Sequence, residues 1–212
     1  MLHTKTVEPA TLELLKSLQS KVYLKGFNLA GGTALSLHIG HRRSIDIDLF
    51  SNFNFDVSML IELIQQDYSL QLYYTATNTI KGSIENVNVD IIAHRYPYLN
   101  EPSHIDGIMM LSEPDIIAMK LNAILTSGQR SKDFIDIYFL LEKNKYNIES
   151  MLNFYKMKYS QSGEMHVLKS LLYFDDVDLS DWPVLLRKPN LKWLDVRNRI
   201  EKKVLLFMKE LL

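Results

Sequence analysis

The chain has 212 residues, 47% of them hydrophobic, with 24 Lys and Arg against 25 Asp and Glu and no cysteine. That length and apolar content support one substantial domain, or a compact domain with a helical addition, and exclude global disorder. Balanced charge excludes a uniform coat for nucleic acid but leaves room for a local basic face; lack of cysteine excludes disulfides and thiolate metal sites and fits a reducing cytoplasm.

His3, Lys5, Glu8 and Glu13 interrupt the N-terminal segment, so no signal peptide is expected. No stretch approaches the ~20 apolar residues of a membrane span. Leu12, Leu15 and Leu18 recur at helical steps, and the spacing predicts a helix over residues 11–25 stopped by Gly26. Residues 27–30 form a short apolar run, expected as a buried strand. Gly31-Gly32 breaks it, and residues 33–39 read as a short helix with Gly40 as its stop. Residues 44–50 alternate strictly: Ile45, Ile47 and Leu49 face one way, Asp46 and Asp48 the other, as on a half-buried strand.

A helix over 57–66 follows. Residues 69–77 and 82–93 supply two or three further strands, with Val87, Val89 and Ile91 alternating with Asn86, Asn88 and Asp90. Tyr73 and Tyr74 are expected in the core. After about Pro97 the pattern turns helical: Ser112-Glu113-Pro114-Asp115 resembles a capping box opening a helix to about Thr126, with further helices over 129–142 and 147–159. Residues 173–189 are acidic and read as a loop, and residues 191–212 as a closing amphipathic helix.

Asp46 and Asp48 leave one strand face about 6–7 Å apart at the backbone. Carboxylates that close repel each other unless a cation sits between them, and oxygen-only ligands favour Mg²⁺ or Mn²⁺. Asp90 lies in a similar pattern on a separate strand. If the two strands are neighbours, three carboxylates converge and could hold two metal ions ~3.5–4 Å apart, as in-line phosphoryl chemistry requires. The plainer reading is the solvent face of an amphipathic strand. Against it, Asp disfavours strands. Upstream, Gly31 and Gly32 open a helix whose first amides can approach an anion, and the Thr33 hydroxyl could add a bond to phosphate. No Lys-Ser/Thr or third glycine follows, so this is neither a Walker loop nor a dinucleotide fingerprint.

Gly31-Gly32-Thr33, then Asp46-Ile47-Asp48-Leu49, and later the lone strand residue Asp90 together resemble the signature of the DNA polymerase beta-like nucleotidyltransferase superfamily. More closely, the stretches from Leu29 to Leu35 and from Arg43 to Leu49 resemble the AbiEii/AbiGii family, nucleotidyltransferase toxins of type IV toxin–antitoxin systems. Lys120-Leu121-Asn122-Ala123 and Arg130-Ser131-Lys132-Asp133-Phe134-Ile135-Asp136 are similar to that family's later motifs, and Tyr173-Phe174-Asp175-Asp176 to its tail. The resemblance implies an α+β fold: a nucleotidyltransferase core of mixed sheet flanked by helices over residues 1–100, then a helical region over 101–212 completing the active-site cleft. It implies NTP and Mg²⁺ (or Mn²⁺), an RNA acceptor such as the tRNA 3′ end, a cognate antitoxin and a cytoplasmic location. It implies metal-holding roles for Asp46, Asp48 and Asp90, phosphate contacts at Gly31, Gly32 and Thr33, and Arg43 steadying phosphate.

By the same resemblance, Lys120 would contact the triphosphate. Asp133 would act as general base or orient Lys120. Asp136 shares a helix face with Asp133, though it could simply pair with Arg130 or Lys132. Lys and Arg recurring at Lys156, Lys158, Lys169, Arg187, Lys188, Lys192, Arg197, Arg199, Lys202 and Lys203 could form a basic face. Two alternatives share these residues: a small-molecule, antibiotic-type nucleotidyltransferase, and an inactive module that binds nucleotide or antitoxin. The histidines lack zinc spacing; His38 is expected to be packed or at a pocket rim, and His41 could approach phosphate. The acidic residues from Asp175 to Asp181 fail the EF-hand pattern.

Overall fold

Ile47 and Leu49 are fully buried while Asp48 and Phe50 are only half so, and this alternation sets strand β2 (Ile47–Ser51) at the middle of a mixed sheet. The computed structural model describes residues 1–142, 145–160 and 163–210. The chain divides into two compact units, Met1–Ser112 and Glu113–Leu212.

In the first unit, helix α1 (Pro9–Ser20) starts on a proline, whose fixed φ suits a first turn, and buries Leu14, Leu15 and Leu18. It stops earlier than the spacing predicts. Lys21 is extended, and a 3₁₀ turn at Val22–Leu24 buries Leu24 and leaves Val22 in solvent. Lys21 and Tyr23 then both reach Asp67, at 3.0 and 2.7 Å. The Asp67 carboxylate is held below its usual range by those two partners, and burial pushes the Tyr23 phenol up. Strand β1 (Asn28–Leu29) leads into helix α2 (Gly31–Ile39), closed by Gly40 at φ 69°. Residues 44–46 are not part of β2, and Ile45 is 59% exposed rather than core. The reason is local: the Thr33 hydroxyl takes the Asp46 carbonyl, which a neighbouring strand would otherwise occupy.

Helix α3 (Val57–Asp67) is capped by Asp56, which accepts from the Met59 amide at 2.9 Å. Strands β3 (Leu70–Ala76), β4 (Thr79–Ile84) and β5 (Val87–Ala93) form an antiparallel meander. The expected strand over 82–93 breaks at Glu85-Asn86, both at positive φ, as a tight hairpin turn requires. Tyr73 and Tyr74 are 63% and 56% exposed, not core, because β3 is an edge strand. An unforeseen hairpin, β6 (Ser103–Ile105) and β7 (Ile108–Met110), turns on Asp106-Gly107 and joins the sheet through β1. The sheet order is β3-β4-β5-β2-β1-β7-β6, with β5/β2 and β1/β7 parallel. Residues 101–112 thus belong with the sheet.

The second unit holds α4 (Glu113–Thr126), α5 (Ser131–Glu142), α6 (Ile148–Tyr159), α7 (Glu164–Leu171) and α8 (Trp193–Glu210). Asn147 and Ser150 form a reciprocal capping box on α6. Helix α7 was not expected. The last two residues of the expected closing helix, Leu211 and Leu212, lie outside the described residues. Trp193 packs edge-on to Phe134 and Phe174 at 5.8 and 5.9 Å, tying α8 to α5. Among the described residues, no helix is long and apolar enough to cross a membrane. The fold is α+β, with a mixed sheet flanked by helices.

Candidate active site

The chain leaves β1 through fully buried Ala30, whose amide donates to the Asp48 carbonyl at 2.8 Å, and enters α2 with Gly31 at φ 64°. A Cβ on Gly31 would stand 2.0 Å from Asp48 Oδ2, and one on Gly32 would stand 2.4 Å from Arg42 Nη2. Both glycines are therefore needed: the Asp48 carboxylate and the Arg42 guanidinium press directly on the backbone. The first intrahelical bond runs from the Ala34 amide to the Ala30 carbonyl, so the amides of Gly31, Gly32 and Thr33 precede it. Gly31→Ala should clash with Asp48 and strain the backbone, lowering stability by about 1–3 kcal/mol. Thermal unfolding checks this, and a variant with the wild-type midpoint would show that Asp48 does not need this close approach.

Across the sheet, Asp48 on β2 is in register with Asp90 on parallel β5, and Asp90 is in register with Lys81 on β4. Register partners share a face and lie about 4.8 Å apart in neighbouring strands, so Lys81, Asp90 and Asp48 form one row. The Lys81 ammonium is paired with Asp90 Oδ2. Asp46, just before β2, accepts from Asn88 Nδ2 at 3.0 Å. The three carboxylates thus fall on one half-exposed face beside the start of α2. Among the described residues, no three His, Asp or Glu side chains are gathered closely enough to enclose a metal ion. Lys81 and Asn88 are neighbours that sequence reading missed. The alternation around Asn88 was visible, but Lys81 fell outside the predicted strands, and the register that sets the two against Asp90 and Asp46 was not visible.

Two expectations change at the glycine end. Arg43 lies 53% exposed against Glu8 at 3.2 Å, while Arg42 is buried beside Gly32. Successive side chains of an extended segment point opposite ways, so only one arginine can face the glycines. The Thr33 hydroxyl is engaged with Ser44 Oγ at 2.8 Å and with the Asp46 carbonyl, and Thr33 is 1% exposed. It ties α2 to the carboxylate strand instead of offering a donor to phosphate. His38 Nε2 lies 3.0 Å from the Leu111 carbonyl, a packing role, and His41 is fully buried.

In the second unit, Lys120 on α4 reaches Asp133 Oδ1 at 2.5 Å and Asp136 Oδ2 at 2.9 Å on α5. All three side chains are at most 8% exposed. Spacing by three puts both carboxylates on one helix face, and the cation comes from the neighbouring helix. Asp136 therefore pairs with Lys120, not with Arg130 or Lys132; Lys132 is paired with Asp181. The expected basic face is thinner than its sequence. Lys158 is buried in an ion pair with Asp115 at 2.7 Å. Arg187 and Lys188 are held by Glu142, and the Arg199 guanidinium donates to the Leu141 carbonyl.

A family model described as nucleotidyl transferase AbiEii toxin, type IV TA system, matches residues 13–86 and 61–203. An uncharacterized protein of Aquifex aeolicus (strain VF5) is 32% identical over 168 residues, covering 77% of this chain and 81% of that protein. Two Helicobacter pylori structures share the fold. One, a candidate nucleotidyltransferase, has a TM-score of 0.56 at 15% identity and covers 96% of this chain and 97% of its own. The other, JHP933, has a TM-score of 0.54 at 18% identity and covers 97% and 94%. The chain belongs to the AbiEii nucleotidyl transferase toxin family of type IV toxin–antitoxin systems.

Proposed function

We propose that this nucleotidyltransferase moves a nucleotide from an NTP onto the 3′ hydroxyl of an RNA, with tRNA as the expected class, and that a divalent cation held by Asp46, Asp48 and Asp90 is required. The observation that carries this reading is the in-register placement of Asp48 and Asp90 on one sheet face, with Asp46 two residues before Asp48 and the Gly31-Gly32 turn alongside. The donor set is all oxygen and half-exposed, which suits Mg²⁺ or Mn²⁺. To join such a set, Asp90 would leave Lys81 and Asp46 would leave Asn88. The bound cation would supply positive charge where the phosphate oxygens gather it during transfer.

The chain's own groups set the rest. Amides of Gly31 and Gly32 bind phosphate oxygens at the start of α2, and the Arg42 guanidinium beside Gly32 adds charge there. The acceptor oxygen forms a bond to the α-phosphorus, the bond to the β-phosphate bridge breaks, and pyrophosphate leaves while the hydroxyl proton passes to water. The family resemblance gives Lys120 and Asp133 parts in transfer. Because Asp133 Oδ1 already accepts from Lys120, that contact supports an orienting role for Asp133 over a general base. A cognate antitoxin and a cytoplasmic location, where NTP and tRNA are found, accompany this reading.

The test is incubation with each α-labelled NTP, Mg²⁺ and total RNA. Label in RNA is expected. Label only on a small acceptor would replace the RNA assignment, and nucleotide binding without transfer would mark an inactive binding module. Lys81 gives a separate check on the cation. It is a partly exposed competitor for Asp90, and such a pair contributes only about 0.2–1 kcal/mol. Lys81→Gln should therefore tighten Mn²⁺ binding by up to about fivefold, read by titration of the electron spin resonance signal. Unchanged affinity would mean that Asp90 does not take part in holding the ion.

A further inference from the structure

Arg130, Ser131 and Lys132 open α5 immediately before Asp133, and the reading above gives them no task. They line a cavity of about 180 Å³ together with Gln129, Asp178 and Asp181. Ser131 is 2% exposed, lines that cavity, and its Oγ has no hydrogen-bond partner among the described residues. A buried hydroxyl left unsatisfied is costly and calls for an explanation. The Gln129 amide and the Arg130 guanidinium likewise have no protein partner among the described residues, and both are exposed.

The acceptors of the same cavity are occupied. Asp178 accepts from the Ser180 amide at 2.8 Å and the Ser180 hydroxyl at 2.9 Å, bonds that hold its carboxyl below the usual range. Asp181 is paired with Lys132. Backbone bonds keep the geometry in place: the Asp178 amide donates to the Gln129 carbonyl at 2.8 Å, and the Asp133 amide to the Arg130 carbonyl at 3.0 Å. The amides of Ser131 and Lys132 fall in the first turn of a twelve-residue helix, where donors are free and the dipole favours an anion. The cavity therefore presents open donors from Gln129, Arg130 and Ser131 against acceptors already used.

We propose that this cavity at the start of α5 binds a phosphate group through the Arg130 guanidinium, the Ser131 hydroxyl and the first-turn amides, none of which belongs to the carboxylate row. Arg130 suits the role because its planar fork matches phosphate oxygens in pairs. The phosphate could be carried by an RNA strand, by a nucleotide, or be free. Binding is measured in EDTA, which removes any contribution from a cation at the carboxylates, with three probes: inorganic phosphate, ATP and a short single-stranded RNA.

Arg130→Gln should weaken at least one probe by tenfold or more, and Ser131→Ala by about threefold. Both variants should keep the wild-type melting temperature, since Arg130 is exposed and the Ser131 hydroxyl has no hydrogen-bond partner among the described residues. If RNA carries the phosphate, RNA alone weakens and its salt dependence falls by about one counterion. If a nucleotide carries it, ATP weakens and RNA does not; if the site takes free phosphate, all three weaken together. Wild-type affinity of both variants for all three probes, or a wild type that binds none of them in EDTA, overturns the proposal. The label-transfer result stands apart, because it is read with Mg²⁺ present.

Discussion

Asp48→Asn should lower nucleotidyl transfer by about a thousandfold while the protein still folds. Asp48 presses directly on the Gly31 backbone. Its main chain closes the β1–β2 junction through the Ala30 amide, and its Oδ2 lies only 2.0 Å from where a Cβ of Gly31 would stand. Asn keeps that shape and removes the charge. A cation's stabilisation of phosphate charge is worth several kcal/mol, and about 4 kcal/mol corresponds to three powers of ten in rate. The variant should unfold at the same denaturant midpoint, bind Mn²⁺ more weakly and give almost no labelled product. The three readings matter together: inactivity with a lowered midpoint would point to misfolding, and near-normal transfer would remove Asp48 from the chemistry and take the cation proposal with it.

The strands that carry this site were legible because their signal is local. Alternation in Ile47-Asp48-Leu49 and Val89-Asp90-Ile91 fixes which side chains face the core, and Gly31-Gly32 before an apolar helix marks a close approach of backbone to something. What joins them was not legible. The pairing of Asp48 with Asp90 is a contact between strands far apart in the chain, and a shift of one residue would send either carboxylate to the opposite face. Lys81 was invisible as a partner for the same reason. Arg42 and Arg43 are adjacent and chemically identical, so only the backbone direction decides which one meets Gly32. The β6–β7 hairpin had a signal in Asp106-Gly107, passed over because three-residue strands are too short to show a period. In the second unit, helix spacing put Asp133 and Asp136 on one face, but their shared cation sits on a different helix. Lys158, counted toward a basic face, illustrates the limit of counting charges, since burial against Asp115 removes it from any surface.

That shared cation leads to the second large effect. Lys120→Met should destabilise the protein by about 3–5 kcal/mol, the usual cost of removing one partner from a buried ionic cluster. Asp133 and Asp136 would face each other with side chains 5% and 0% exposed and without the ammonium that now lies within 2.9 Å of both. Single carboxylate changes should cost less, because each leaves Lys120 a remaining partner. Combining Lys120→Met with Asp133→Asn and Asp136→Asn should recover much of the loss, since the penalty comes from uncompensated charge and not from lost contact area. Denaturant midpoints at unchanged slope are the measurement, and a Lys120→Met protein within about 1 kcal/mol of wild type would mean the cluster is solvated enough to tolerate the loss. The triple variant separates two roles for Lys120. If it serves only to balance the two aspartates, refolding the triple variant restores transfer along with stability. If the Lys120 charge or the Asp133 carboxylate also acts in transfer, as the family resemblance implies, the triple variant is stable and still inactive.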